Sequence, residues 1–172
     1  MAYMNPTPGV ANLQTVVEID FAANATITTG NVALSAGKLS IPAISKLTVT
    51  TSNGVFEWAQ LDTRSKHVVA TVATNSLVTD VVLDRDTFFG NVSLTSGSCA
   101  QAGILNAQVN KTKLAFKVRI DSPAGDGTGD TISGVGYITN LAPTIAAEQP
   151  VWQTPITIVV DGDFTVKSSD TL

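Results

Sequence analysis

Hydrophobic and polar residues alternate with a period of two along most of this chain. QTVVEIDFA (14–22) sets Val17, Ile19 and Phe21 on one face and Glu18 and Asp20 on the other, the pattern of a half-buried strand. Residues 24–45 are rich in Gly, Ser and Ala; they predict short strands around 25–29 and 32–34, then a loop through GKLSIPAIS. KLTVTT (46–51) and VFEWAQ (55–60) flank Asn53-Gly54, a pair that favours a tight turn, so the stretch predicts a hairpin. LDTRSK reads as a loop. KHVVATVAT (66–74) and LVTDVVLD (77–84) predict two strands with a turn near Asn75-Ser76, and NVSLTS (91–96) a further short strand.

KTKLAFKVRI (111–120) alternates Leu114, Phe116, Val118 and Ile120 with Lys113, Ala115, Lys117 and Arg119. A Gly- and Asp-rich loop (121–130) leads to TISGVGYITNLA (131–142) and VWQTPITIVV (151–160), which predict a strand pair. In the second, Trp152, Thr154, Ile156, Ile158 and Val160 share a face. Pro155 cannot donate a ladder hydrogen bond, so it predicts a sheet edge or a bulge. Gly134 and Gly136 predict a close backbone approach or a bulge.

One segment departs from the period. GSCAQAGILNAQVN (97–110) places Ser98 three residues before Gln101, a capping-box spacing, and sets Ala102, Leu105 and Val109 on one helical face. Gly103 within it costs about 1 kcal/mol relative to Ala. The expected architecture is therefore mainly β, a β-sandwich or open barrel of antiparallel strands with one flanking α-helix, in a single domain spanning 1–172.

Composition supports strands. The chain holds 23 Thr, 20 Val and 11 Ile, and branched side chains suit a pleated sheet better than a helix. Charged residues are 14%, against about 25% in an ordinary soluble domain, which suggests a surface partly covered by other copies or partners; a polar Thr- and Ser-rich surface is the plainer alternative. Net charge is −4, which disfavours a sequence-specific nucleic-acid binder. Cys99 is alone, so no disulfide closes within the chain. MAYMNPTPGVAN lacks the basic and apolar regions of a signal peptide, and no apolar run reaches membrane-span length, so no membrane association and a cytoplasmic product are expected.

The candidate chemistry is thin. His67 and Cys99 are each the sole residue of their type, so neither a His-based triad nor a His/Cys zinc set can be assembled. His67 flanks an apolar strand and reads as a surface or packing residue. A position in the first helical turn would lower the Cys99 pKa, yet a small packing role is favoured. Asp84 and Asp86 flank Arg85; two residues apart on a strand they share a face and cannot straddle a bond, so a carboxylate hydrolase is a weak alternative. Asp121, Asp126 and Asp130 lack the ligand spacing of an EF-hand calcium loop, so a mobile loop is expected, with calcium binding the lesser alternative. Lys111, Lys113, Lys117 and Arg119 are expected on one face of a strand, either a solvated sheet face or one matched to acidic residues of a neighbour, such as Asp80, Asp84 or Asp86, with direct DNA affinity a third reading. No catalytic, metal or cofactor residues are assigned, and no enzyme activity is expected.

The order of segments from 83 onward carries a resemblance: a strand, a short Ala-rich helix, a strand of the LAFKVRI type, a Gly/Asp loop, GVGYIT (134–139), then the Trp-bearing strand 152–160 closing on Asp161-Gly162-Asp163. This half of the chain resembles the major tail tube protein of long-tailed bacteriophages, although DGDF replaces the more usual GDG ending. The resemblance implies a structural virion protein whose hexameric rings close a shared β-barrel and stack into a tube that conducts DNA. It implies self-association, with tape measure, tail terminator and baseplate proteins as partners, and assembly in the host cytoplasm into the virion tail. An N-terminal arm (1–12) and a loop region at 36–66 would bridge rings. The alternatives are a capsid decoration or receptor-binding β-sandwich module, or a related tail terminator or secretion-tube subunit.

Overall fold

A computed structural model describes residues 15–41, 44–61, 65–90, 97–121, 128–146 and 149–171. The strands are β1 (Thr15–Phe21), β2 (Thr26–Thr28), β3 (Asn31–Ala33), β4 (Leu39–Ile41), β5 (Ile44–Ala59) and β6 (Lys66–Val82). Helices α1 (Arg85–Phe89) and α2 (Cys99–Val109) follow, then β7 (Leu114–Asp121), β8 (Thr128–Leu141), β9 (Thr144–Ala146), β10 (Gln149–Val160) and β11 (Thr165–Thr171). The expected arm at 1–12 and strand at 91–96 lie outside the described residues.

One antiparallel sheet runs in the order β4-β1-β7-β8-β10-β6-β5, with β11 paired to β8 and β9 to β10. β2 and β3 form a separate hairpin. β7 takes one side of β8, against residues 129–136, while β10 and β11 lie end to end along its other side.

The alternation seen in the sequence sets the layers. Val17 and Ile19 of β1, Leu114, Phe116 and Val118 of β7, Leu77 and Val81 of β6, and Ile156 and Ile158 of β10 are buried in one core. Phe88 of α1 and Cys99, Ile104 and Ala107 of α2 complete it. On the opposite face of β1, Glu18 and Asp20 are also buried, and each has partners. Lys38 lies 2.8 Å and Arg119 3.9 Å from the Glu18 carboxylate. Asp20 accepts from the Phe21 and Ser35 amides, both at 2.8 Å. Buried carboxylates persist only with such satisfaction.

The expected mainly β, antiparallel architecture is what the chain adopts, with two helices among the described residues rather than one. The one missed is α1. Asp84 is its N-cap, accepting from the Asp86 and Thr87 amides at 3.1 Å. The expected strand therefore ends at Val82, and Asp84 and Asp86 stand in a capped turn.

The expected turn at Asn53-Gly54 is absent. β5 passes straight through it and pairs with β6 over nearly its whole length, absorbing Gly54 as a bulge. The expected turn at Asn75-Ser76 is likewise strand. Asn75 is buried, and its amide donates to the Gly162 carbonyl at 2.9 Å, so a turn-forming residue is held extended by a tertiary partner. The loop expected through 37–45 contains β4, because Leu39 and Ile41 face the core while Ser40 faces out. The wider loop at 36–66 is accordingly mostly strand.

Helix α2 begins as expected. Ser98 caps the Gln101 amide at 3.0 Å, and the Gln101 side chain reaches back to the Gly97 amide at 3.1 Å. Its buried face differs. Cys99, Gly103, Ile104 and Ala107 point inward, while Val109 of the expected apolar face is exposed. The cause is Gly103, whose φ of 77° breaks the helical phase. A Cβ there would lie 2.5 Å from the Gly90 nitrogen, and one on Gly90 would lie 1.8 Å from the Gln101 carbonyl oxygen. The two glycines let the end of α1 dock against the kink of α2.

Pro155 sits in a strand paired on both sides, so the edge reading fails. Its position is nonetheless a gap in the ladder. β8 ends at Leu141 opposite Ile156, and β9 begins at Thr144 opposite Gln153. Across the gap the Thr154 hydroxyl accepts from the Ala142 amide at 3.0 Å, where proline could donate nothing. At Gly136 an added Cβ would lie 2.2 Å from the Val159 carbonyl oxygen, so the close approach expected there is made by the chain's own β10.

Candidate assembly surface

The most unusual surface comes from β5 and β6. Only the second half of β6 contacts β10, through residues 76–82. Among the described residues the first half pairs with β5 alone, so the two strands leave the body as a two-stranded ribbon. From residue 66 to 75 it extends roughly 30 Å at the usual rise per residue. An isolated hairpin is marginally stable in water at best.

Both ribbon faces carry open apolar side chains. Val55, Phe56, Trp58, Leu61, Val68, Val69 and Val72 are all exposed, Phe56 at 60% and Val72 at 85%. On one face Trp58 stands opposite His67, and Phe56 opposite Val69. Their rings stack, Phe56 on Trp58 at 5.9 Å and Trp58 on His67 at 5.3 Å. The other face carries Glu57 and Lys66, joined at 3.2 Å. Each such side chain would gain about 1.5–3 kcal/mol on full burial, so covering the ribbon supplies on the order of 10 kcal/mol before the cost of association.

A second feature lies at the opposite end of β6. Leu83, Phe88, Phe89, Pro143 and Trp152, with Asp84 and Arg85, line a cavity of about 430 Å³. Phe88 is buried; Phe89 stands edge-on to it at 5.0 Å and is 65% exposed, and Trp152 is half exposed. The Leu83 amide donates to the Trp152 carbonyl at 2.8 Å, tying the start of β10 to the end of β6. Asp84 is held below the usual aspartate range, chiefly by the Thr87 amide and then by its hydroxyl.

Sheet edges add to this surface. Among the described residues, β5 ends the strand order on one side and β4 on the other, and β8 beyond residue 136 is paired only with β10. Unpaired edges invite strands from another chain.

The remaining singled-out residues disperse. His67 is exposed on the ribbon, the surface role of the two expected for it. Cys99 is buried and its pKa is pushed up to about 12, by desolvation first and then by the Asp20 charge. The expected lowering by the helix end is overturned, while the packing role holds. Lys111 and Lys113 precede β7, Lys111 with φ of 50°, so the four basic residues do not form one strand face. Lys113 pairs with Asp161 at 2.6 Å, a hydrogen bond that raises its pKa, and Arg119 pairs with Glu18. Asp121 closes β7 and Asp130 lies in β8, while Asp126 lies outside the described residues. Among the described residues no three His, Cys, Asp or Glu side chains gather as a metal site, and no helix is long and apolar enough to cross a membrane.

No protein-family model and no curated protein matches the chain. Solved structures do. The tail of an empty gene transfer agent particle, refined with sixfold helical symmetry, aligns over 90% of this chain and 96% of its own, with a TM-score of 0.57 at 10% identity. The SPP1 tail tube aligns over 90% of this chain and 78% of its own, with a TM-score of 0.57 at 16% identity. A chain of the anti-feeding prophage baseplate aligns over 95% and 98%, with a TM-score of 0.52 at 12% identity. The chain has the tail tube fold.

Proposed function

We propose that the protein is the structural subunit of a phage-type tail tube. Copies pair their open sheet edges into six-membered rings, closing a shared barrel and leaving no free edge inside it. Rings stack when the β5–β6 ribbon of one copy lies against a copy in the adjoining ring. The tube conducts DNA, meets tape measure, terminator and baseplate proteins, and resides in the virion tail. A net charge of −4 suits a conduit that DNA passes without sticking.

The observation that carries this reading is the ribbon, which exposes seven large apolar side chains on an element with no core of its own. A monomer gains nothing from that surface; a polymer buries it. The tail tube fold of the solved neighbours agrees with the reading. Electron microscopy and sedimentation of the purified protein test it. Rings or tubes are expected, appearing with rising concentration or on addition of a tail initiator complex. A protein that remains monomeric under both conditions overturns the proposal.

A further inference from the structure

We propose that the aromatic ribbon of one copy seats in the cavity beside α1 of the next, so that rings join head to tail through this contact. The inference rests on the assembly reading above and names the receptor for its ribbon.

The two surfaces lie at opposite ends of one strand. The ribbon leaves from the Lys66 end of β6, and the cavity begins at Leu83, the residue after Val82. Some 50 Å separate them at the usual strand rise. A paired ribbon cannot double back over that distance, so a copy cannot fill its own cavity. Two complementary patches at opposite poles make a heterologous contact, which repeats without limit along one direction.

The chemistry of the two ends matches. Phe56 and Trp58 are open aromatic anchors on the ribbon, while Phe89, Trp152 and Leu83 give the cavity apolar walls. Central aromatic anchors in apolar cavities dominate association energies. Each end also carries one acidic and one basic residue, Glu57 and Lys66 on the ribbon face opposite Trp58 and Asp84 and Arg85 in the cavity lining. Opposite signs can meet only at the rim of such a contact.

The test uses two measurements on the full chain. A copy carrying Val69→Cys and Arg85→Cys keeps both sets of anchors and offers one thiol at each pole. After assembly and mild oxidation it should run as a ladder of covalent multimers, with crosslinked peptides joining positions 69 and 85. Neither single variant, nor Val69→Cys with Ser168→Cys in β11, should give the ladder. Buried Cys99 stays out of the reaction. Separately, Phe89→Glu should raise the concentration needed for assembly about thirtyfold or more, as for a lost anchor. Assemblies that form without the 69–85 ladder, or that form normally with Phe89→Glu, overturn this contact and leave the assembly reading standing. A native chain that never leaves the monomer overturns both.

Discussion

The two halves of β6 are nearly indistinguishable as sequence and opposite as structure. Residues 66–74 and 76–82 are both rich in Val, Thr and Ala or Leu and both pair with β5. In the second half Leu77, Thr79 and Val81 are buried; in the first every residue from 66 to 72 is exposed. What differs is the third strand. β10 stands beside residues 76–82 and ends before it reaches the ribbon. The same β-branched pattern therefore serves stability where a neighbour belongs to the chain, and association where it belongs to another copy.

The sharpest way to break this comparison is to truncate each half. Leu77→Ala should cost about 2–5 kcal/mol in urea unfolding, the range for a fully buried leucine. Trp58→Asp should cost the monomer only about 1 kcal/mol, the scale of its stacking on Phe56 and His67, yet abolish tubes in sedimentation and micrographs. If Trp58→Asp destabilises the monomer as much as Leu77→Ala, the ribbon packs on its own body and the contrast is false.

A somewhat smaller effect tests how the cavity end is built. Gly103 adopts a left-handed φ and touches the Gly90 backbone, so Gly103→Ala should cost about 1–3 kcal/mol from strain alone. Thermal unfolding reads it. Because Phe88 and Phe89 ride on the displaced helix, assembly should weaken more than stability does. A neutral or stabilising Gly103→Ala, as expected of a glycine in an ordinary helix interior, would remove this account of the kink.

Much of the fold was legible because alternation and caps are local. The β1, β7, β8 and β10 segments and the Ser98 cap followed from period and spacing. The ribbon was not, although its length was visible as an uninterrupted 17-residue run in β6 lacking Gly and Pro. Asn53-Gly54 and Asn75 are strong local turn signals, and both yielded to partners distant in sequence: the continuous β5–β6 ladder and the Gly162 carbonyl. Exposure was invisible for the same reason, since nothing in residues 66–74 records that β10 stops short. Helix α1 was hidden because five residues carry too little periodicity, leaving only the Asp84–Thr87 cap as a signal.

That cap gives the smallest expected effect. Asp84 satisfies the first amides of α1, and a lost N-cap costs about 1 kcal/mol. Asp84→Ala should show this in urea unfolding near neutral pH, whereas Asp84→Asn, which keeps the acceptor, should cost a few tenths at most. The pH dependence separates charge from hydrogen bonding. The folded pKa is depressed, so the carboxylate's contribution is fully present above the unfolded value and is lost as pH falls through the folded one. The native chain should lose its advantage over Asp84→Ala on acidification below the aspartate range, while Asp84→Asn keeps its own. Because the carboxylate is exposed, the charge part is small and weakens further with salt. If Asp84→Asn falls as far as Asp84→Ala at neutral pH, the cap depends on charge at the helix end. If neither variant differs from native, α1 is held by Phe88 in the core and needs no cap.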